Sequence, residues 1–310
     1  MRYPARDWKN EAVKRFSIAS MLGVGLLVLA ASAPAQFAQP GIQPSPTQVA
    51  EDHRRIMGAL DGLKPQRPDT VDAYVIVAAL DTDPVFGREA REAGRVLASR
   101  FDAVGRTIVL AEDEGDQHAD AAGTPQHLEL ALARAAALMD RNEDVLVLYT
   151  TSHGTPRAGL NYQDPSRGTG IIGPAQFAAT LDQHGLQNRL IILQSCFSGQ
   201  FIPVLATPRT VVVTAASAMH PSFGCSAGND WTFFGHALIN LALRKPDSFA
   251  RQFRRAYVTI NGWEQKLGIE PSNPQISIGG DTAGWLAALD ARASKIESAP
   301  VGRPPSELGE

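Results

Sequence analysis

Cysteine is almost missing from this chain: Cys196 and Cys225 are the only two among 310 residues. Two thiols cannot build a disulfide-dense scaffold or a four-cysteine zinc site. A basic excess is missing too, because 29 Lys and Arg stand against 32 Asp and Glu, for a formal charge of −3. Nucleic-acid-binding domains carry the opposite balance. No G-x-G-x-x-G follows a predicted strand, which argues against a dinucleotide cofactor, and neither a P-loop nor an H-E-x-x-H motif occurs. What is abundant is apolar material. At 44% hydrophobic and 20% charged residues, the chain can bury a large core, which excludes wholesale disorder.

The first 35 residues read as a removable address rather than as fold. Arg2, Arg6, Lys9, Lys14 and Arg15 outnumber Asp7 and Glu11, residues 18–33 are apolar and uncharged, and Ala33-Pro34-Ala35 follows. A basic segment, a short apolar run and a small-residue site are the pattern of a secretory signal peptide. The run is short against the roughly 20 residues of a membrane-spanning helix. Export, to a periplasm if the host is Gram-negative, with no stable membrane span after cleavage, is therefore expected. An uncleaved inner-membrane anchor is the alternative.

Residues 36–69 read as a linker with a short helix, 70–295 as one domain, and 296–310, with three prolines, as a loose tail. Within 70–295, apolar runs of strand length at 73–80, 106–111, 144–150, 189–194 and 209–215 alternate with helical spacing at 88–101, 125–141, 173–184, 231–244 and 249–267. A short strand at 275–278 and a helix at 283–294 complete the pattern. Buried strands alternating with helices predict an α/β fold with a mostly parallel sheet covered on both faces.

In such sheets the chemistry collects at the carboxyl ends of strands. The third strand runs into Ser152-His153-Gly154, and the fourth into Ser195-Cys196-Phe197-Ser198-Gly199. A histidine and a cysteine at one sheet edge can form a nucleophile–base pair in which the imidazole takes the thiol proton. Gly154 lets a substrate come close to the backbone, and the amides of Gly154 and Cys196 are candidate oxyanion donors. A Cys196–Cys225 disulfide is the opposing possibility. The acidic cluster 112–116 reads as a solvated loop in preference to a cation site, and His118 and His127 as solvated. No metal or organic cofactor is called for.

Tyr149-Thr150-Thr151-Ser152-His153-Gly154 and Gln194-Ser195-Cys196-Phe197-Ser198-Gly199 resemble the two active-site motifs of legumain-like cysteine peptidases, in their bacterial exported branch. Thr214-Ala215-Ala216, Ser222-Phe223-Gly224-Cys225, Thr232-Phe233-Phe234-Gly235 and Ser272-Asn273-Pro274-Gln275 match its later landmarks in order. The resemblance spans about residues 70–280. It implies a caspase-haemoglobinase fold, a three-layer sandwich around a six-stranded, mostly parallel sheet. It also implies a His153–Cys196 dyad without a required third residue, and hydrolysis of peptide or protein substrates through a thioester. The specificity pocket departs from the family pattern. Arg88-Glu89 stands in place of an Arg-His pair, Gln194 in place of a glutamate and His236 in place of an aspartate, so asparagine specificity does not carry over. Arg88, Gln194, Ser217, Ser222 and His236 are the expected substrate-binding residues. Two alternatives share the fold: a transpeptidase on the same site, and a binding module whose cysteine is inactive or disulfide-bonded.

Overall fold

A computed structural model describes residues 44–294 and 296–309. The expected signal peptide therefore lies outside the described residues. Strands β1 (Ala73–Ala79), β2 (Thr107–Leu110) and β3 (Val145–Thr151) come first. A small antiparallel sheet of β4 (Gly154–Thr155), β5 (Gly159–Asp164) and β6 (Gly168–Ile172) follows. Strands β7 (Arg189–Gln194), β8 (Thr210–Thr214) and β9 (Gln275–Ile278) complete the main sheet, whose order is β2-β1-β3-β7-β8-β9. All its pairings are parallel except β8 with β9.

Every residue of β1, β3 and β7 is buried, as a strand covered on both faces requires. Alternate side chains feed two cores. Val75, Val77, Val147 and Ile192 join Phe86 and Leu97 of α2 (Pro84–Arg100), Phe253 and Ile260 of α7 (Phe249–Leu267) and Leu289 of α8 (Ala283–Arg292). Ile76, Leu146, Leu148 and Ile191 join Ile56 and Leu60 of α1 (Pro46–Asp61), Leu132 of α3 (Pro125–Leu138) and Leu181 of α4 (Pro174–Gln183). A turn of helix α5 (Ile202–Leu205) follows β7. All six sheet strands read from the sequence are present, and the architecture is the expected α/β sandwich.

Four local readings change. The predicted helix 231–244 is a single turn, α6 (Phe233–Gly235), that continues as a π-helix, His236–Ala242. The antiparallel sheet β4–β6 adds to the elements read from the sequence; Gly168-Thr169-Gly170-Ile171-Ile172-Gly173 has the G-x-G-x-x-G spacing, but its first five residues are strand β6 and Gly173 caps α4, so it is not a phosphate-binding turn. His127 is buried, with Nδ1 2.9 Å from the Ala122 carbonyl, because it sits in the first turn of α3, where Thr124 caps the helix. The segment after residue 296, read as loose, is tied down: Val301 accepts hydrogen bonds from Trp231 Nε1 and Asn240 Nδ2 at 2.8 and 2.9 Å, and Arg303 pairs with Asp230. Among the described residues no helix is long and apolar enough to cross a membrane.

Candidate active site

The carboxyl ends of β3 and β7 are adjacent because these strands pair in register, Thr151 opposite Gln194. The chain then leaves β3 through Ser152 and His153, and β7 through Ser195 and Cys196. The amide of Ser152 donates to the Gln194 carbonyl at 3.1 Å, which carries the pairing past the strand ends. Gly154 lies against the Cys196 main chain: a Cβ there would sit 2.1 Å from the Cys196 carbonyl oxygen. No side chain fits that gap, so the His-Gly step is a packing requirement as well as a chemical one. Gly199 is under the same constraint, since a Cβ would lie 2.5 Å from the Ala218 amide nitrogen.

His153 is half-buried. The ring of Phe86 meets it edge-on, with centroids 5.0 Å apart and planes at 89°. Its Nε2 lies 3.0 Å from Asp83 Oδ2. Asp83 occupies the N-cap position of α2, ahead of Pro84, yet its carboxylate makes no capping bond and turns to the imidazole instead. Asp81, buried behind it, accepts the Asp83 amide at 3.0 Å, and burial pushes the Asp81 carboxyl up from the ordinary range. The resemblance implies a dyad that requires no third residue. A carboxylate at the end of β1 was visible in Asp81-Thr82-Asp83-Pro84, but nothing in the sequence aimed it at His153.

Cys196 Sγ is bonded to Ser222 rather than to His153: it accepts the Ser222 amide at 3.3 Å and lies 3.5 Å from the Ser222 carbonyl. The next residue, Phe197, has φ +57°, left-handed backbone that a bulky side chain adopts only at a cost of about 1–3 kcal/mol. Both cysteines are free. Burial pushes the Cys225 thiol far up, so it is a poor nucleophile at neutral pH.

The other expected pocket residues scatter. Ser222 is at the Cys196 sulfur. Gln194 is fully buried; its Oε1 lies 3.1 Å from Thr151 Oγ1, and Nε2 has no hydrogen-bond partner among the described residues. Arg88 forms an ion pair with Glu114 and donates to the carbonyls of Ala227 and Asn229. It thereby joins the acidic loop to the segment after Cys225. That loop is largely exposed, as read from the sequence, and its carboxylates are taken by arginines: Arg55 pairs with Asp113, Arg91 with Glu114 and Arg167 with Glu112. Ser217 is bonded to His220, its Oγ 2.6 Å from Nδ1. His236 is buried on the π-helix, stacked on Trp263 at 5.6 Å and 3.1 Å from the Asn240 amide; burial lowers its pKa to about 4. Glu89 is completely buried and fully used, accepting from Tyr149 at 2.5 Å, Thr151 at 2.9 Å and the Thr232 amide and hydroxyl, each at 2.8 Å. It is a structural hub between α2, β3 and α6.

Residues 123–282, more than half of the chain, match the model of the peptidase C13 family. No curated protein matches. The chain is also similar in structure to caspase-1 from Spodoptera frugiperda, at 14% identity and a TM-score of 0.42, over 70% of this chain and 93% of that one. The matched segment contains both His153 and Cys196, and the chain belongs to the peptidase C13 family, the legumain family of cysteine peptidases.

Proposed function

We propose that the protein is an exported cysteine endopeptidase with Cys196 as nucleophile and His153 as general base and acid. The observation that carries this reading is the joint setting of the two side chains. His153 leaves β3 with Asp83 on its Nε2, and Cys196 leaves the neighbouring β7 with the Ser222 amide on its sulfur. With Nε2 occupied by a carboxylate, Nδ1 is the nitrogen free to exchange a proton with the thiol.

The steps follow from that assignment. Nδ1 takes the Sγ proton, and the thiolate attacks the scissile carbonyl carbon. On this reading the amides of Gly154 and Cys196 donate to the oxygen as it gains charge. The C–N bond breaks, and the departing amine takes the proton from the imidazolium. Water, deprotonated by His153, then attacks the thioester; the C–S bond breaks, the imidazolium returns its proton to the departing Sγ, and the acid product leaves. An amine in place of water gives transpeptidation on the same residues. Asp83 keeps the ring oriented and balances the imidazolium.

The test is to incubate the reduced protein from residue 36 onward with an electrophilic peptide probe, alongside Cys196→Ala and His153→Ala, and to locate the label by mass spectrometry. Label on Cys196 that is lost in Cys196→Ala and strongly reduced in His153→Ala is expected. Label on neither cysteine, or on Cys225 alone, would favour the binding module.

A further inference from the structure

The segment that holds the Cys196 sulfur is itself held by a histidine that the reaction does not use. Ser222 places its amide on Sγ. Two residues earlier, the His220 carbonyl accepts the Phe197 amide at 2.9 Å, which fixes the left-handed residue after the nucleophile. Residues 220–222 therefore grip Cys196 from both sides, at its side chain and at the next peptide.

What fixes 220–222 is the His220 ring. Its Nδ1 lies 2.6 Å from Ser217 Oγ and 3.5 Å from Asn273 Nδ2; its Nε2 lies 3.3 Å from Glu270 Oε1. A ring with its proton on Nε2 suits these contacts, since the Ser217 hydroxyl and the Asn273 amide then share the Nδ1 lone pair while the N–H side faces the Glu270 carboxylate. Ser217 is anchored in turn: its amide donates to the Ser272 carbonyl at 2.9 Å, and its Oγ accepts the Met219 amide at 3.2 Å. The ring thus fastens the loop after β8 to the loop after α7.

We propose that His220, braced by Ser217 and Glu270, is a positioning residue for the Cys196 thiol. This rests on Cys196 being the nucleophile. Without the ring, 217–222 is released, the Ser222 amide leaves Sγ, and the thiolate loses a hydrogen-bond donor. The chemical step then weakens while substrate binding is largely kept.

The experiment follows the alkylation of Cys196 by iodoacetamide against pH in the full chain, with the site read by mass spectrometry, and kcat and KM on a peptide substrate. His220→Ala should slow alkylation at pH 7 roughly tenfold, the size of one lost hydrogen bond, with the rates converging at high pH. kcat should fall similarly, with KM changed less than about twofold. Ser217→Ala should lie between, and the double variant should be no worse than His220→Ala, because the two act as one unit. Glu270→Gln alters a solvent-facing carboxylate and should cost only about twofold. Wild-type profiles and kcat in His220→Ala would overturn the proposal. Should that variant fail to fold, wild-type behaviour of both Ser217→Ala and Glu270→Gln would do so. Shifted alkylation in a protein that cleaves no peptide would leave the positioning role standing and remove the peptidase reading.

Discussion

At the residue scale, the His153 imidazole meets the Asp83 carboxylate at Nε2. Asp83→Ala removes that partner while Pro84 still starts α2, so the fold should persist. A charge-assisted hydrogen bond is worth about 1.5–3 kcal/mol, and Asp83 is half-exposed, so kcat should drop about tenfold. A variant with wild-type kcat would mean that the imidazole needs no orienting carboxylate. His153 and Cys196 are legible in the sequence because each follows an apolar run, and strand ends are where α/β sheets expose chemistry. Asp83, Ser222 and His220 are not, since their roles come from the folded-back loops after β1 and β8.

At the element scale, the misread segments share a cause. The hairpin β4–β6 is glycine-rich and half-exposed, so it lacks the apolar run that betrays a buried strand. The π-helix keeps a helical pattern, and hydrophobic spacing alone does not separate its wider turn from an α-helix. Its consequence is measurable at His236. Burial lowers that imidazole to about 4, while an unfolded histidine titrates near 6.5. Between those values the unfolded chain binds the proton and the folded chain does not, so this group removes stability as pH falls from 6.5 to 4. His236→Gln lacks this term. From pH 7 to pH 5, urea unfolding should show the wild type losing roughly 1–2 kcal/mol more than the variant. Equal losses would refute it.

At the scale of the whole molecule, the sheet was the most legible part. Strands such as β1 and β7 are apolar throughout because both faces are covered, and that leaves little else for their sequences to mean. Strand order was not written in this way; it depends on which crossovers pack. In the observed order, β1 lies between β2 and β3, and β3 between β1 and β7.

That order has a consequence for a chain in two pieces. Pro165 and Ser166, at the tip between β5 and β6, are exposed. A break there would put His153 on one fragment and Cys196 on the other, while β3 and β7 would still pair along their full register. Residues 36–165 and 166–310, produced separately, should each be inert and should regain peptide cleavage on mixing, with a rate that depends on fragment concentration. Activity in either fragment alone would show that the two strands need not meet. The enzyme would then be a split reporter of its own central strand pair, in which catalysis counts the molecules whose halves have found each other.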